Sequence, residues 1–312
     1  MVSIIITYIN ETDYLKEALQ SVSLQKLEGA EIIVVCNDPV ANHENFNLSA
    51  EVQGITWLHE PIRGSAAARN MGLHKSTGEW IQFLDVDDLL LEDKIIHQLN
   101  SNATGAIVSP HTYKRLSGLT KKSRWQPGDI WSGILNSGLG STSSMLWNRK
   151  AVIDVGGWSS HYQSHQEYDL LFRLHKAGYS ILTIDRRDTI VRERKKGSIT
   201  QMTKLIRSKE GITLREEIMA YLNERDLNTP ERKNAFLQYV FRQLRGLFAT
   251  DPITAKTVYN TYFSEGTFVP EKGNIPFYNV LYKSIGFQRT ENVLHGYRNV
   301  RDRFLPFLPK NK

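Results

Sequence analysis

The stretch GEWIQFLDVDDLL, residues 78–90, places Asp85, Asp87 and Asp88 within four positions. Carboxylates so close repel one another, and folding gains nothing from that. Trp80, Ile81, Phe83 and Leu84 just before them read as a buried strand. On an extended segment Asp85 and Asp87 point the same way, because side chains alternate. Two converging carboxylates at a strand end make a hard-oxygen site for Mn²⁺ or Mg²⁺, with positions open for phosphate oxygens. Asp88 has a second reading, shared with Glu92 and Asp93, as the start of a helix over 92–99. Glu167 is a lone carboxylate in SHQEYDLLFRL, suited to act as a general base. Ser164-x-x-Glu167 also has capping-box spacing, so both roles stay open. Between Arg186 and Arg215 ten basic residues stand against three acids. The net charge of +6 is therefore local, and it points to a phosphate-bearing ligand or an anionic surface near one segment.

These residues need a frame. VSIII (2–6), EIIVV (31–35), ITWL (55–58) and WIQFLD (80–85) read as strands. Helices follow from Tyr14, Leu15, Ala18, Leu19 and Val22 with Asn10 as cap, from Ser65 through SAAARNMGLHK with Gly72 packing closely, and over 94–99. That rhythm predicts an α/β sheet of mostly parallel strands. AIVS (106–109), SMLWN (144–148) and SILTI (180–184) add strands, and RLSGLTKKSRWQPGD reads as a loop with basic and aromatic residues interleaved. A helix capped by Ser164 ends at Gly178. Beyond residue 203 the pattern is helical over 203–224, 231–249, 251–263 and 290–305. In the tail, Val293, Leu294, Tyr297, Val300, Phe304 and Leu305 oppose Arg298, Arg301, Arg303 and Lys310. Such a helix lies on an anionic membrane or packs on the catalytic domain, with packing preferred.

The chain has 312 residues, 40% hydrophobic and 23% charged, the make-up of a soluble globular protein with a sizeable core. Cys36 is the single cysteine, so no intramolecular disulfide can form, which fits a reducing cytoplasm. Met1 leads straight into VSIII without a basic n-region, and no apolar run reaches about 20 residues, so neither a signal peptide nor a membrane span is expected.

VSIII followed by N-E-x-x-YL, then EIIVV, RGSAAARNMGLHKSTGEWIQFLDVDD, VGGW and HQEYDLLFRL, resembles the inverting GT-A glycosyltransferases of family two over about residues 2–200. The resemblance implies a GT-A fold, a Rossmann-like nucleotide-binding mixed sheet flanked by helices, over 1–205. Residues 206–312 then form a helical extension that associates with a membrane or a partner. It implies a metal-dependent inverting transfer of one hexosyl or related sugar from a nucleoside-diphosphate sugar, with UDP preferred. The acceptor is a glycan or lipid-linked molecule of cell-surface polysaccharide synthesis. The family's D-x-D falls on Asp85 and Asp87, with Asp87 the direct metal ligand and Asp85 on the ribose or behind the metal. Arg69 matches an arginine near the nucleotide, beside Gly64 and Ser65 at a helix N-terminus. Thr7, Tyr8 and Asn10 stand at the first strand end, where the family's proline is absent. Asn37 and Asp38 stand where the family carries acids that read the base. Glu167 matches the catalytic base, with Asp169 second. Lys195, or Arg192 or Arg194, closes on the diphosphate, and Trp158 stacks on the acceptor, with Trp125 and Trp131 as further candidates. The expected location is cytoplasmic, peripheral on the inner-membrane face. The processive signature Q-x-x-R-W is absent, which favours single-sugar addition. A non-catalytic scaffold on a degenerate glycosyltransferase fold is the alternative. Nucleic-acid binding ranks last, since no reading motif is present.

Overall fold

The computed structural model describes residues 1–40, 54–194, 204–264, 268–271 and 277–304, with backbone alone at 204 and 298–304. The chain divides into two compact units, Met1–Gln201 and Met202–Lys312.

The first unit is built on eleven strands among the described residues: β1 Val2–Tyr8, β2 Glu31–Cys36, β3 Ile55–His59, β4 Trp80–Asp85, β5 Leu89–Leu90, β6 Ala106–Val108, β7 Thr112–Lys114, β8 Thr120–Lys122, β9 Leu146–Asn148, β10 Ile181–Thr183 and β11 Thr189–Arg192. Its helices are α1 Thr12–Ser23, α2 Ser65–Lys75, α3 Lys94–Leu99, α4 Ile130–Leu135, α5 Arg149–Asp154 and α6 Gln166–Lys176. Seven strands form a mixed sheet in the order β10-β6-β9-β4-β1-β2-β3. β1, β2, β3 and β4 run parallel, and β9 is antiparallel to β4 and β6. A smaller sheet has the order β5-β11-β7-β8.

β1 works on both faces because it is apolar at every position but Ser3 and Thr7. Val2, Ile4, Ile6 and Tyr8 join Leu15, Ala18 and Val22 of α1 in one core cluster. On the other face Ile5 meets α2 where Gly72 leaves room, since a Cβ there would overlap the Ile5 side chain. The close packing expected of Gly72 is therefore present.

Three local expectations are corrected. The presumed loop RLSGLTKKSRWQPGD holds β8, which pairs with β7 just before it as a hairpin; its exposed Thr and Lys residues give no apolar alternation. α1 starts at Thr12, with exposed Asn10 outside it; the Glu11 carboxylate instead accepts from the N–H groups of Ile9 (2.8 Å) and Asn10 (3.2 Å). α6 starts at Gln166, and His165, not Ser164, takes the N-cap position with a left-handed backbone, φ 62°.

The second unit contains α7 Lys204–Glu224, α8 Pro230–Phe248, α9 Pro252–Phe263 and α10 Tyr278–Phe304, the last interrupted at Gly286 (φ 75°) and starting earlier than the expected residue 290. Its core is aromatic: Phe241 lies edge-on to Phe263, Tyr282 and Phe287 at 5.4, 5.3 and 5.6 Å. Glu291, buried among these helices, accepts from Tyr278 Oη (2.7 Å) and Arg245 Nε (3.1 Å), which satisfies the charge. The apolar stripe expected on the tail helix is split: Leu294 is buried, whereas Val293 and Tyr297 are exposed. The side chains of Val300, Phe304 and Leu305 lie outside the described residues. No described helix is long and apolar enough to cross a membrane.

Candidate functional site

Strand register brings the chemistry to one edge. Thr7 pairs with Asp85, Tyr8 with Cys36, and Cys36 with His59, so four parallel strands end together. The segments leaving them carry Asn10, Asn37, Asp38, Gly64 and Asp87. An open α/β sheet binds its ligands at this carboxyl edge.

Arg69 sits at the centre. It projects from the second turn of α2, buried to 5% exposure. Its Nη2 donates to Asp85 Oδ1 at 2.6 Å and its Nη1 to Gln166 Oε1 at 3.1 Å. Ser65 Oγ donates to the same Gln166 oxygen at 2.9 Å, and Gln166 Nε2 is held by the Tyr162 carbonyl at 2.9 Å. The guanidinium lies over the Trp158 ring, 4.5 Å from its centroid. One arginine thus joins α2, the end of β4 and the start of α6. Glu167, half-buried, follows Gln166 in the otherwise buried first turn of α6.

Trp158 is placed differently from its expected role. It is 2% exposed, with edge contacts to Phe83 at 5.0 Å and Trp147 at 5.6 Å. Asn70 holds its backbone through two 2.8 Å hydrogen bonds. The face expected to meet an acceptor sugar carries Arg69 instead. Trp131 is also core, packed on Phe172 and His175. Tyr8 belongs to the α1-side core, and burial pushes its phenol up.

Asn37 is buried and fully engaged. Its Nδ2 donates to the carbonyls of Glu60 (2.9 Å) and Ile62 (2.7 Å), and its Oδ1 accepts from Gly64 N–H at 2.8 Å. Both amide protons are used within the fold, so the residue staples the end of β2 to the loop before α2 rather than offering a base-reading edge. Gly64 then enters α2 at φ 141°, a backbone that side-chain-bearing residues avoid. Half-buried Asp38 caps its own turn, Oδ1 accepting from Val40 N–H at 3.1 Å.

The acidic turn is held from the other side by β11 and the residues after it. Asp88 is fully buried; Arg192 N–H donates to its Oδ1 at 3.2 Å, and the Ser143 hydroxyl helps hold it. It does not cap α3, where Asp93 takes the N-cap position. Burial first, then Asp87 and Asp85, hold its carboxyl well above the usual range. The Arg192 guanidinium bonds the Asp87 carbonyl and Glu17, and that of Arg194 bonds Glu11. Arg194 Nε also stands 3.6 Å from Asp87 Oδ2. Both guanidinium groups lie over Tyr14, at 4.8 and 5.7 Å. Burial raises the Glu11 pKa, but the Ile9 N–H and Arg194 outweigh it, and the net position is below the usual range. Lys195 lies outside the described residues.

Asp87 is pushed up to about 6, first by burial and then by Asp85. A divalent cation between the two carboxylates would relieve that repulsion, so the pair fits hard-cation chemistry. Among the described residues no three His, Cys, Asp or Glu side chains gather as a metal cluster. A site here would therefore take further oxygen donors from its ligand. The alternative base Asp169 is committed elsewhere, its Oδ2 accepting from Arg173 Nε at 3.0 Å and Nη2 at 2.8 Å. Sequence reasoning missed Gln166, Ser143 and Glu11 as organisers. Gln166 carries no signal of its own in SHQEYDLLFRL, and the N-E-x-x-YL pattern was the one signal for Glu11.

Residues 3–159 match the glycosyl transferase family 2 model. An uncharacterized glycosyltransferase of Rickettsia felis is 32% identical over 118 residues, which are 37% of this chain and 20% of that relative. The chain thus spans about a fifth of that relative's length. Among solved structures, S. aureus TarS 1–349 in complex with UDP-GlcNAc is similar at TM-score 0.64 and 11% identity, over 96% of this chain and 92% of that one. Mannosyltransferase PcManGT from Pyrobaculum calidifontis, in complex with GDP-Man and Mn²⁺, is similar at TM-score 0.52 and 16% identity, over 97% and 87% of the two chains. With the family model covering half of the sequence, and the mixed sheet and flanking helices shared with these structures, the chain belongs to glycosyl transferase family 2 and has the GT-A fold.

Proposed function

We propose that the chain transfers one sugar, with inversion, from a nucleoside-diphosphate sugar to a glycan or lipid-linked acceptor of cell-surface polysaccharide synthesis, with UDP as the preferred nucleotide. The observation that carries this reading is the Asp85–Asp87 pair at the carboxyl edge of β4, with Arg69 behind it and Glu167 one residue from Arg69's partner Gln166. The bound UDP-GlcNAc of TarS and the bound GDP-Man and Mn²⁺ of PcManGT support a sugar nucleotide and a divalent cation as ligands of this edge.

Asp87 and Asp85 would hold Mn²⁺ or Mg²⁺, which supplies positive charge to a departing diphosphate. Arg69 holds Asp85 in place through its 2.6 Å ion pair. Arg192 and Arg194 bring two more cations to the acidic turn, suited to the same diphosphate. Glu167, at a helix N-terminus, takes the proton from the acceptor hydroxyl as that oxygen attacks the anomeric carbon from the face opposite the leaving group. Asp38, rather than Asn37, is left to meet the base. Cytoplasmic, membrane-peripheral placement follows from a lipid-linked acceptor.

Thermal stabilisation by a panel of UDP-, dTDP- and GDP-sugars, each with and without Mn²⁺, tests the reading. It expects a UDP-sugar to raise the Tm most, and only with Mn²⁺. A flat response to every donor would support a non-catalytic scaffold instead.

A further inference from the structure

The β7–β8 hairpin stands apart from the site chemistry just described. Its strands pair antiparallel through Thr112–Lys122, Tyr113–Lys121 and Lys114–Thr120. Arg115 N–H to Leu119 O (2.8 Å) and Gly118 N–H to Arg115 O (2.9 Å) close the turn, with Gly118 at φ 82°. At this closed tip Leu116 and Leu119 are 52% and 54% exposed. Residues 111–125 carry five cations, Lys114, Arg115, Lys121, Lys122 and Arg124, and no acid. The acid that reaches the turn is Glu193, whose Oε2 accepts from Leu116 N–H at 3.2 Å. Among the described residues, Lys114, Lys121 and Lys122 make no ion pair.

Lysines on an edge strand deter strand-to-strand aggregation, and β8 is the edge of its sheet. That accounts for Lys121 and Lys122. It leaves unexplained the two exposed leucines, Leu116 and Leu119, at the tip of a cationic hairpin. Apolar tips rimmed by lysines match the boundary of an anionic bilayer: the leucines enter the acyl region while the ammonium groups stay among the headgroups. A soluble polyanion would engage the cations and leave the leucines idle.

We infer that the β7–β8 hairpin docks this protein on an anionic lipid bilayer, with Leu116 and Leu119 inserted and Lys114, Lys121 and Lys122 on the headgroups. β7 is also the parallel neighbour of β11, with Lys114 in register with Arg192. Docking there therefore fixes the acidic turn at a set distance from the bilayer plane. This contact is separate from the C-terminal tail helix, and it does not depend on the donor or the reaction.

Co-sedimentation of the full chain with vesicles tests it, using phosphatidylcholine alone and an equal mixture with phosphatidylglycerol. Binding is expected to the mixture only, and to weaken as salt rises. Lys121→Glu with Lys122→Glu should weaken binding by at least about tenfold, since each cation near the surface contributes roughly 1 kcal/mol. Leu116→Ser with Leu119→Ser should weaken it by about tenfold or more with both lysines in place. All four positions are exposed, so an unchanged melting temperature confirms the fold of each variant. Two results overturn the inference: binding that needs the lysines but not the leucines, which is the behaviour of a soluble-polyanion site, and binding that neither change weakens.

Discussion

Arg69 and Asp85 form an ion pair with Nη2 2.6 Å from Oδ1, the arginine side chain 6% exposed and the aspartate 36%. The pair fixes Asp85, and Arg69's remaining contacts go to Gln166 and Trp158. Arg69→Ala should destabilise the fold by about 2–3 kcal/mol, because it strips a buried network of its donor. Arg69→Lys should recover only part of that, since an ammonium cannot bridge Asp85 and Gln166 while lying flat on the indole. Urea denaturation of the three proteins measures both effects.

Glu167 and Asp169 differ in their proposed roles. Glu167→Gln should lower sugar transfer by at least about 100-fold, the scale of general-base catalysis, while nucleotide affinity stays within twofold of wild type. Asp169→Asn should leave turnover near normal and cost about 1 kcal/mol through its pair with Arg173. Steady-state kinetics with a donor and acceptor of the proposed class checks this, and undiminished turnover in Glu167→Gln would remove it as the base.

Asn37 should behave as a structural residue. Asn37→Ala leaves the carbonyls of Glu60 and Ile62 and the Gly64 N–H without their side-chain partner. The loss should be about 2–4 kcal/mol. Asn37→Asp should be at least as costly, because a carboxylate oxygen then faces two carbonyls. A variant of normal stability with a changed nucleotide preference would return Asn37 to base recognition.

His111, at the base of the β7–β8 hairpin, gives a pH signature. Its pKa is lowered to about 4, first by burial and then by Arg187. The unfolded residue titrates near 6.5. Between those values the unfolded chain binds the proton and the folded chain does not. Stability contributed by His111 is therefore whole above about pH 6.5 and is lost as pH falls toward 4, by at most about 3 kcal/mol. His111→Gln should flatten this part of the urea midpoint between pH 7 and pH 4.5. An unchanged slope would show that other groups carry it.

Much of the frame was legible because it is local. The β-branched runs of β1 and β2, and WIQFLD of β4, specify buried strands, and the carboxylates following β4 fall at a sheet edge whatever the long-range detail. Arg69 was singled out by the family resemblance alone, and its ion pair with Asp85 puts it at that same edge. What was not legible depends on distant partners. Asn37 looks like a base reader until the loop at 60–64 folds back on its amide. Trp158 looks like a sugar platform until Arg69 arrives from another helix to cover it. Glu11 stands in the sequence only as part of N-E-x-x-YL, and its tie to Arg194 spans 183 positions. The hairpin was hidden for a different reason, since β8 is exposed on both faces and so carries no period-two pattern.

Asp87, with Asp85, is proposed to hold a divalent cation that meets a nucleoside diphosphate. Calorimetric titration of UDP into the wild-type chain and Asp87→Asn, with Mn²⁺ and with EDTA, tests it most directly. Binding to the wild type in Mn²⁺ should weaken by at least about tenfold in EDTA, and by a similar factor in Asp87→Asn with Mn²⁺ present. Equal affinity under all of these conditions would contradict it.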